Sequence, residues 1–377
     1  MKSKKTAKKL APSKIRYAVV GLGHIAQNAV LPSFTHAENS ELTALVSGDP
    51  VKLKKLAKRY GVKNTYSYDQ YMQCLESGLI DAVYIALPNS QHREYAEAAA
   101  ARGIHILCEK PLAVTSDDCF AMSDTAKKYG VKLMTAYRLH FEKANLEAIE
   151  NLSSGKIGDV RYFISTFSQI LRPGNTRSDS INGTGPIFDM GIYCINATRY
   201  LFRENPLEVF AFSTRGKDSR FKQIDEMESV ILRYSDGKLA TFTNSFGGAP
   251  SDRYEVVGTK GTLSMDNAYG YTGEKEMTIK LASGKVSKKV FKEKDQFAAE
   301  LLYFSDCILK NKAIEPNATE GLIDVKIIEA VVESARTGLP VKLYIEAKGP
   351  KPGKDQEVNR PAPRRPRDVN AESPAVG

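Results

Sequence analysis

Three side chains with acid–base chemistry stand out in this chain of 377 residues: Lys110, Asp189 and Tyr193. Lys110 lies in the run Glu109-Lys110-Pro111, directly after an apolar stretch. Asp189 and Tyr193 are four residues apart, which places a carboxylate and a phenol on one face of a helix. Such groups can exchange protons with a substrate, although the same spacing also fits a structural polar face. The elements that position them decide between the two interpretations.

A glycine turn near the N-terminus is the first of these elements. An apolar run over 15–20 ends at Gly21, and Gly23 and Ala26 complete the pattern G-x-G-x-x-A. Gly21 permits a sharp turn, Gly23 lets a pyrophosphate approach the backbone, and Ala26 allows close helix–strand packing. The helix start then offers free N–H groups to phosphate. Taken alone, the pattern also fits an ordinary glycine turn.

Strands and helices alternate up to about residue 138, which indicates an α/β fold. Further buried strands are predicted at 42–46, 81–86, 104–107 and 131–135, with helical segments between them. This pattern predicts a Rossmann domain, a doubly wound parallel sheet, over 14–138. Ligands bind such sheets outside the carboxyl ends of the strands, where the glycine turn and three other loops fall. Their convergence favours a dinucleotide site.

The end of the second strand suggests which dinucleotide binds. An NAD-specific fold usually carries an acidic residue here for the ribose 2′-OH, but this chain has Ser47, with Lys52, Lys54 and Lys55 on the next helix. A small hydroxyl residue and nearby lysines favour a 2′-phosphate, so NADP is predicted, with NAD as the alternative. Asp49 could still reach a ribose, and the lysines could form a solvated helix face.

The pattern changes after about residue 138. Short alternating strands with hairpin turns predict an α+β domain over 139–345, built on a largely antiparallel open sheet. Helices are predicted at 188–202, 296–310 and 319–338. This domain is expected to bind substrate and to oligomerise. Because an antiparallel sheet with one uncovered face often pairs with its copy, a homodimer or homotetramer is expected.

The net charge of +10 is concentrated at the two ends of the chain. Residues 1–13 are predicted to form a basic flexible arm, and 346–377, rich in proline and charge, a disordered tail. The body between them is nearly neutral, so no nucleic-acid partner is predicted.

Compartment and metal content follow from what the sequence lacks. No stretch approaches the roughly 20 apolar residues of a membrane span, and no apolar segment follows the N-terminal lysines as in a signal peptide, so a cytoplasmic protein without a membrane partner is expected. The five cysteines form no C-x-x-C pair. They are therefore predicted to be buried thiols, with no disulfide and no metal site.

Together these motifs resemble the Gfo/Idh/MocA oxidoreductases over about residues 15–341. The similarity is carried by the glycine turn, Leu87-Pro88-Asn89-Ser90, Glu109-Lys110-Pro111 and Asp189-x-Gly191. Many members have His where this chain has Tyr193. The D-x-G-I-Y version is similar to the branch of glucose-fructose oxidoreductase, sugar 1-dehydrogenases and dihydrodiol dehydrogenases.

The resemblance implies an NADP-dependent enzyme that moves a hydride between nicotinamide and a hydroxyl of a cyclic sugar or polyol, with an aldose oxidised at C1 to a lactone as the first choice. Lys110 would bridge the nicotinamide ribose and the reacting hydroxyl, and its charge would favour loss of the phenolic proton. Tyr193 would exchange the substrate proton, and Asp189 would orient the sugar and Lys110. Tyr271 would be a further substrate contact, unless it is a surface aromatic.

Two other functions stay open. The same groups could serve a dihydrodiol or keto-sugar dehydrogenase or reductase, or the chain could be a non-catalytic NADP-sensing protein. The expected cofactor contacts come from the converging loops: Gly21, Leu22, Gly23, His24, Ile25, Ser47, Gly48, Lys52, Leu87, Pro88, Asn89, His92, Glu109, Lys110 and Arg138. For His24, His92, Arg138 and the neighbouring His140, a structural role remains the alternative.

Overall fold

The computed structural model describes residues 14–180, 183–347 and 352–376. The predicted basic arm, 1–13, lies outside these ranges. The first sheet has six parallel strands in the order β3-β2-β1-β4-β5-β6. Their bounds are β1 Ile15–Val20, β2 Ser40–Val46, β3 Asn64–Tyr66, β4 Ala82–Ile85, β5 His105–Cys108 and β6 Leu133–Thr135. The chain order reverses between β1 and β4, so the predicted doubly wound Rossmann sheet is confirmed.

Helices cover both faces of this sheet, and its central strands β1 and β4 are buried except at Arg16. The helix after the glycine turn begins with a π-helical turn, Ala26–Val30, and continues into α1, Leu31–Ser33. The others are α2 Pro50–Tyr60, α3 Tyr71–Glu76, α4 His92–Ala100 and α5 Ser116–Lys128. All four residues of β4 are buried, as expected for a parallel strand packed on both faces.

The second sheet has nine strands in the order β14-β13-β12-β11-β7-β10-β9-β8-β15. Their bounds are β7 Val160–Ser168, β8 Glu208–Thr214, β9 Met227–Arg233, β10 Leu239–Ser245, β11 Ser251–Gly258, β12 Gly261–Asp266, β13 Lys275–Leu281, β14 Val286–Phe291 and β15 Val341–Lys342. The pair β7–β10 is parallel and the other pairs are antiparallel. The predicted largely antiparallel sheet is thus confirmed.

Four longer helices complete the second half of the chain: α6 Lys143–Ser153, α7 Ile192–Phe202, α8 Gln296–Leu309 and α9 Ala318–Thr337. Helix α8 packs on the first sheet, although the sequence assigned it to the second domain. Phe297, Leu301 and Phe304 are buried in the core of the first domain, and the hydroxyl groups of Tyr17 and Ser305 lie 2.8 Å apart. The chain therefore returns to its first domain after building the second.

The C-terminal segment differs from its prediction. Residues 352–376 are not disordered: the Gln356 amide donates to the Glu315 carbonyl at 2.8 Å, and the Arg172 backbone N–H donates to the Pro374 carbonyl at 2.7 Å. Composition predicted disorder because the segment has few apolar residues. Hydrogen bonds with the folded body hold it instead, together with the buried side chain of Val369.

Within the described ranges, no helix is long and apolar enough to cross a membrane. All five cysteines are free and buried, as predicted.

Candidate active site

The glycine turn leaves space where a pyrophosphate is expected. Gly21 has φ +90°, and a Cβ there would lie 2.4 Å from the Ala86 carbonyl oxygen. Its N–H donates to the Val46 carbonyl at 3.0 Å, which ties the turn to the end of β2. A Cβ on Gly23 would meet no atom of the described residues within 4 Å. The turn is therefore closed by Gly21 and open at Gly23, which fits a phosphate approaching the helix start.

The end of β2 presents a hydroxyl without a free acidic neighbour. Ser47 is buried, and its Oγ accepts from the Asp49 N–H at 3.2 Å. Asp49 caps α2 by accepting from the N–H groups of Val51 and Lys52 at 2.8 and 3.1 Å. A hydrogen bond from Asn370, followed by those caps, lowers the pKa of Asp49. Its carboxylate is thus already engaged, which weakens the alternative of an NAD ribose contact.

Tyr68 is a neighbour of this strand end that sequence reasoning missed. A Cβ on Gly48 would lie 3.0 Å from the Tyr68 ring, so the ring packs closely over the loop. Burial raises the pKa of Tyr68, partly offset by its contact with Ser47. Because Tyr68 is followed by no recognisable motif, the sequence did not indicate that it would pack on this loop.

Two predicted cofactor histidines have structural partners. His92 is fully buried, and its two ring nitrogens lie 3.0 Å from the carbonyl oxygens of Pro111 and Leu87. The ring therefore fixes two loops of the site from behind, and the predicted cofactor contact of His92 is not supported. Nδ1 of His24 lies 2.6 Å from Asp368 of the C-terminal segment.

The other predicted cofactor residues differ in their contacts and in their exposure. The Asn89 amide donates to the Gly183 carbonyl at 2.7 Å and so links the first domain to the second. Leu22 and Leu87 are buried, Ile25 and Lys52 are half-buried, and Pro88 is exposed.

Lys110 and Asp189, remote in sequence, meet at the carboxyl end of β5. The Lys110 ammonium donates to the Asp189 backbone carbonyl at 2.9 Å and to its Oδ1 at 3.2 Å. Arg177, which sequence reasoning missed, donates to Oδ2 at 2.8 Å. Burial opposes ionisation of Asp189, but Arg177 and Lys110 together hold its pKa at about 2. Burial acts to lower the pKa of Lys110, yet Tyr193, Asp189 and Glu109 raise it overall, so the ammonium keeps its proton.

Tyr193 completes this cluster. The Lys110 ammonium lies 4.7 Å from the centre of the Tyr193 ring. The segment before α7 is a π-helical turn, Ile187–Gly191, a feature frequent at functional sites. A Cβ on Gly191 would lie 2.6 Å from the Ile187 side chain and 2.9 Å from Asn244. The turn that carries Asp189 therefore packs closely on β10 at Gly191, where a side chain would displace Ile187 and Asn244.

Arg138 is the group that contacts the phenol oxygen. Its Nη2 donates to the Tyr193 hydroxyl at 3.0 Å and to the Tyr269 carbonyl at 2.5 Å, and its Nη1 donates to Gln296. Its guanidinium carbon lies 5.6 Å from the centre of the Tyr271 ring, so the predicted substrate tyrosine borders the same cluster. The sequence assigned Arg138 to the cofactor and gave no signal that it would reach the phenol.

Two carboxyl groups lie near this cluster, Glu109 half-buried and Glu300 fully buried. Glu109 accepts from the Tyr84 hydroxyl at 2.8 Å, and Glu300 of α8 is fully buried. Burial raises the pKa of both groups, further raised for Glu300 by the nearby Glu109. Tyr84 thus holds the Glu109 side chain, whose charge helps to keep Lys110 protonated.

Two family models match the chain. The model described as oxidoreductase family, NAD-binding Rossmann fold, matches residues 15–137. The GFO/IDH/MocA C-terminal domain matches residues 146–264.

Named relatives cover nearly the whole chain. The D-xylose 1-dehydrogenase (NADP(+)) 2 of Haloferax volcanii is 31% identical over 331 residues, which are 87% of this chain and 99% of that protein. The crystal structure of aldose-aldose oxidoreductase from Caulobacter crescentus, complexed with glycerol, superposes with a TM-score of 0.83 at 37% identity, covering 88% of this chain and 100% of that one. A 3-ketoreductase from Actinomadura kijaniata, a mutant in complex with TDP-benzene and NADP, gives a TM-score of 0.79 at 25% identity, covering 85% and 98%.

Proposed function

Because this chain belongs to the Gfo/Idh/MocA oxidoreductase family, we propose that it uses NADP to oxidise a hydroxyl of a cyclic sugar, an aldose at C1 giving a lactone. The observation that carries the proposal is the meeting of Lys110, Asp189 and Tyr193 at the carboxyl end of β5. A protonated lysine, an ionised carboxylate and a phenol at one edge of a Rossmann sheet suit removal of a proton from an alcohol. The sugar-oxidising relatives supply the substrate class.

The cofactor assignment rests on the walls of the cleft. The open space at Gly23 would accommodate a pyrophosphate, and Ser47 and Lys52 would hold a 2′-phosphate. When bound, the dinucleotide accepts the hydride from the sugar carbon. Every other contribution comes from side chains of the protein.

Tyr193 accepts the proton that leaves the sugar hydroxyl. Arg138 donates to its oxygen at 3.0 Å, and a charge-assisted hydrogen bond stabilises the phenolate. Lys110 places a second positive charge at the ring face, where it also favours an alkoxide on the reacting sugar oxygen. Asp189, ionised between Arg177 and Lys110, fixes the ammonium and offers oxygens to neighbouring sugar hydroxyls. In the reverse direction, the Tyr193 hydroxyl returns the proton to a carbonyl oxygen.

A substrate screen tests the proposal. Purified protein is mixed with NADP or NAD and a panel of aldoses and polyols, and reduced nicotinamide is followed by absorbance. At least one aldopyranose is expected to give NADPH and an equal amount of lactone, faster with NADP than with NAD. Tight NADP binding without turnover of any sugar, in either direction, would instead support a sensing protein.

A second candidate is reduction of a keto-sugar. It is favoured by the similarity to the 3-ketoreductase, and it uses the same proton donor, since only the direction of hydride transfer differs. Oxidation of NADPH by keto-sugars in the same screen, with no aldose active, would select this function.

A further inference from the structure

The segment 364–376, which we call the strap, leaves the second domain, crosses the first and returns. At its start, Arg365 donates to the Tyr271 carbonyl at 3.3 Å and forms an ion pair with Glu293 at 2.7 Å. At its end, Ala375 pairs with Leu171 in an antiparallel bridge. Both anchors belong to the second domain.

Between these anchors the strap is docked on the helix that follows the glycine turn. One oxygen of Asp368 lies 2.6 Å from Nδ1 of His24, and the other accepts from the Asn28 amide. Val369 is buried, its N–H donates to Gln27 Oε1 at 2.7 Å, and its carbonyl accepts from the Gln27 amide at 3.0 Å. This part of the strap is therefore fixed by backbone, side-chain and apolar contacts together.

Asn370, the next residue of the strap, contacts the loop that follows β2. The Asn370 amide donates to Asp49 Oδ2 at 3.0 Å, and Asp49 directly follows the loop that carries Ser47. Residues 368–370 thus join the helix after the glycine turn to the end of β2. In a Rossmann fold the adenosine half of a dinucleotide lies between these two elements, outside the carboxyl ends of the strands.

We propose that the strap closes over the bound dinucleotide and retains it between turnovers. The inference rests on the proposed function, since it takes NADP as the ligand. A dinucleotide enclosed in this way leaves only after 368–370 detach from His24, Gln27, Asn28 and Asp49. Several hydrogen bonds and the burial of Val369 are then lost together. Opening of the strap is therefore rare, and release of the dinucleotide is slow.

The experiment measures release of NADPH directly. The full chain is loaded with NADPH, excess NADP is added, and the decay of the bound NADPH fluorescence gives the dissociation rate. It is compared with a chain ending at Ala362, which keeps the contacts of Arg360 with His36 and Glu38. The dissociation rate is expected to rise about tenfold or more in the shortened chain.

Point variants of the full chain provide a second test in case the shortened chain misfolds. Asp368→Ala removes the contacts with His24 and Asn28 and is expected to raise the dissociation rate in the same direction. Asn359→Ala is the matched control, because its side chain contacts Glu357 of the same segment and not the cofactor cleft. Its dissociation rate is expected to equal that of the full chain.

The outcomes separate this inference from the proposed function. If the full chain binds no NADPH, the proposed function fails. If it binds NADPH but the shortened chain and Asp368→Ala release it at the rate of the full chain, the retaining strap is overturned. Faster association with unchanged dissociation would also overturn it, because the strap would then occupy the site rather than cover the ligand.

Discussion

At the level of single residues, the site is a set of charges arranged around one phenol. Lys110 faces the Tyr193 ring, Arg138 donates to its oxygen, and Asp189 holds Lys110 from the other side. Arg138 is buried, Lys110 is half-buried, and each has an acceptor, which limits the cost of removing them from water. The proton therefore moves at a site whose charges are fixed before substrate arrives.

The ionised state of Asp189 gives a prediction about acid stability. Burial disfavours its charge, but Arg177 and Lys110 hold its pKa at about 2, below its ordinary value of 3.8. A carboxyl with a lowered pKa in the fold stabilises it above the unfolded pKa and loses this contribution as pH falls through the folded pKa. The free energy of unfolding of the native protein should therefore exceed that of Asp189→Asn by a constant amount above about pH 4, and by less toward pH 2.

Urea unfolding of both proteins, from neutral pH down to the lowest pH at which each stays folded, measures this difference. A difference that does not shrink below pH 4 would show that Asp189 is not held ionised by its two partners.

At this scale the sequence predicted the cluster but not all of its contacts. Lys110, Asp189 and Tyr193 sit in recognisable motifs, so their meeting could be inferred. Arg138 and Arg177 could not be assigned, because a long arginine side chain reaches partners that its sequence neighbours do not reveal.

At the level of secondary structure elements, the two glycines of the first turn are needed for different structural reasons. Gly21 has a positive φ and no room for a Cβ, whereas Gly23 has open space above it. Gly21→Ala is expected to lower the free energy of unfolding by about 1–3 kcal/mol. Gly23→Ala should leave stability nearly unchanged and weaken NADP binding, because its methyl group enters the space for the pyrophosphate.

Thermal unfolding and NADP titration of both variants check this pair. Equal loss of stability in the two variants, or unchanged NADP affinity in Gly23→Ala, would contradict the assignment of this space to the cofactor.

The end of β2 gives a prediction about cofactor choice. In Ser47→Asp, a new carboxylate would repel a 2′-phosphate and could accept from a ribose hydroxyl. The ratio of kcat/KM for NADP over NAD is expected to fall about tenfold or more. Steady-state kinetics with both cofactors measure it, and an unchanged ratio would place the 2′-phosphate elsewhere.

Most elements could be predicted from periodicity, since β1, β4 and α5 have clear apolar patterns or caps. The short β15 and the charged β14 could not be predicted, because neither shows the alternation of a half-buried strand. The return of α8 to the first domain could not be predicted, because an apolar helix does not reveal which sheet it covers.

At the level of the whole molecule, the open face of the second sheet carries a row of apolar side chains. Ile164, Ile231 and Phe212 are more than 40% exposed, and the register places Ile231 opposite Phe210 and Thr241. Such a face is suited to pairing with a second copy, so a homodimer or homotetramer is expected in solution.

Light scattering coupled to size-exclusion chromatography tests this expectation. Ile231→Asp should shift the mass to that of the monomer, or weaken the assembly strongly. Phe120→Asp is the matched control, since Phe120 is 64% exposed on α5, away from this sheet. A monomeric native protein, or equal effects of both substitutions, would contradict pairing through the open face.

The C-terminal segment is the largest feature that the sequence could not predict. Its proline-rich, charged composition is typical of disorder, and its order comes from partners such as Gln27 and Arg172 that lie far away in the chain. Composition describes a segment alone, whereas these contacts depend on the finished fold.

The proposed mechanism depends on the phenolate of Tyr193 as the group that takes the substrate proton, and a single-turnover experiment with Tyr193→Phe tests it most directly. Enzyme loaded with NADP is mixed rapidly with the best aldose from the screen, and formation of NADPH is followed before any product leaves. Hydride transfer in the variant is expected to be about 10² times slower or more, with NADP affinity nearly unchanged. A variant that forms NADPH at the native rate would show that the proton leaves by another route.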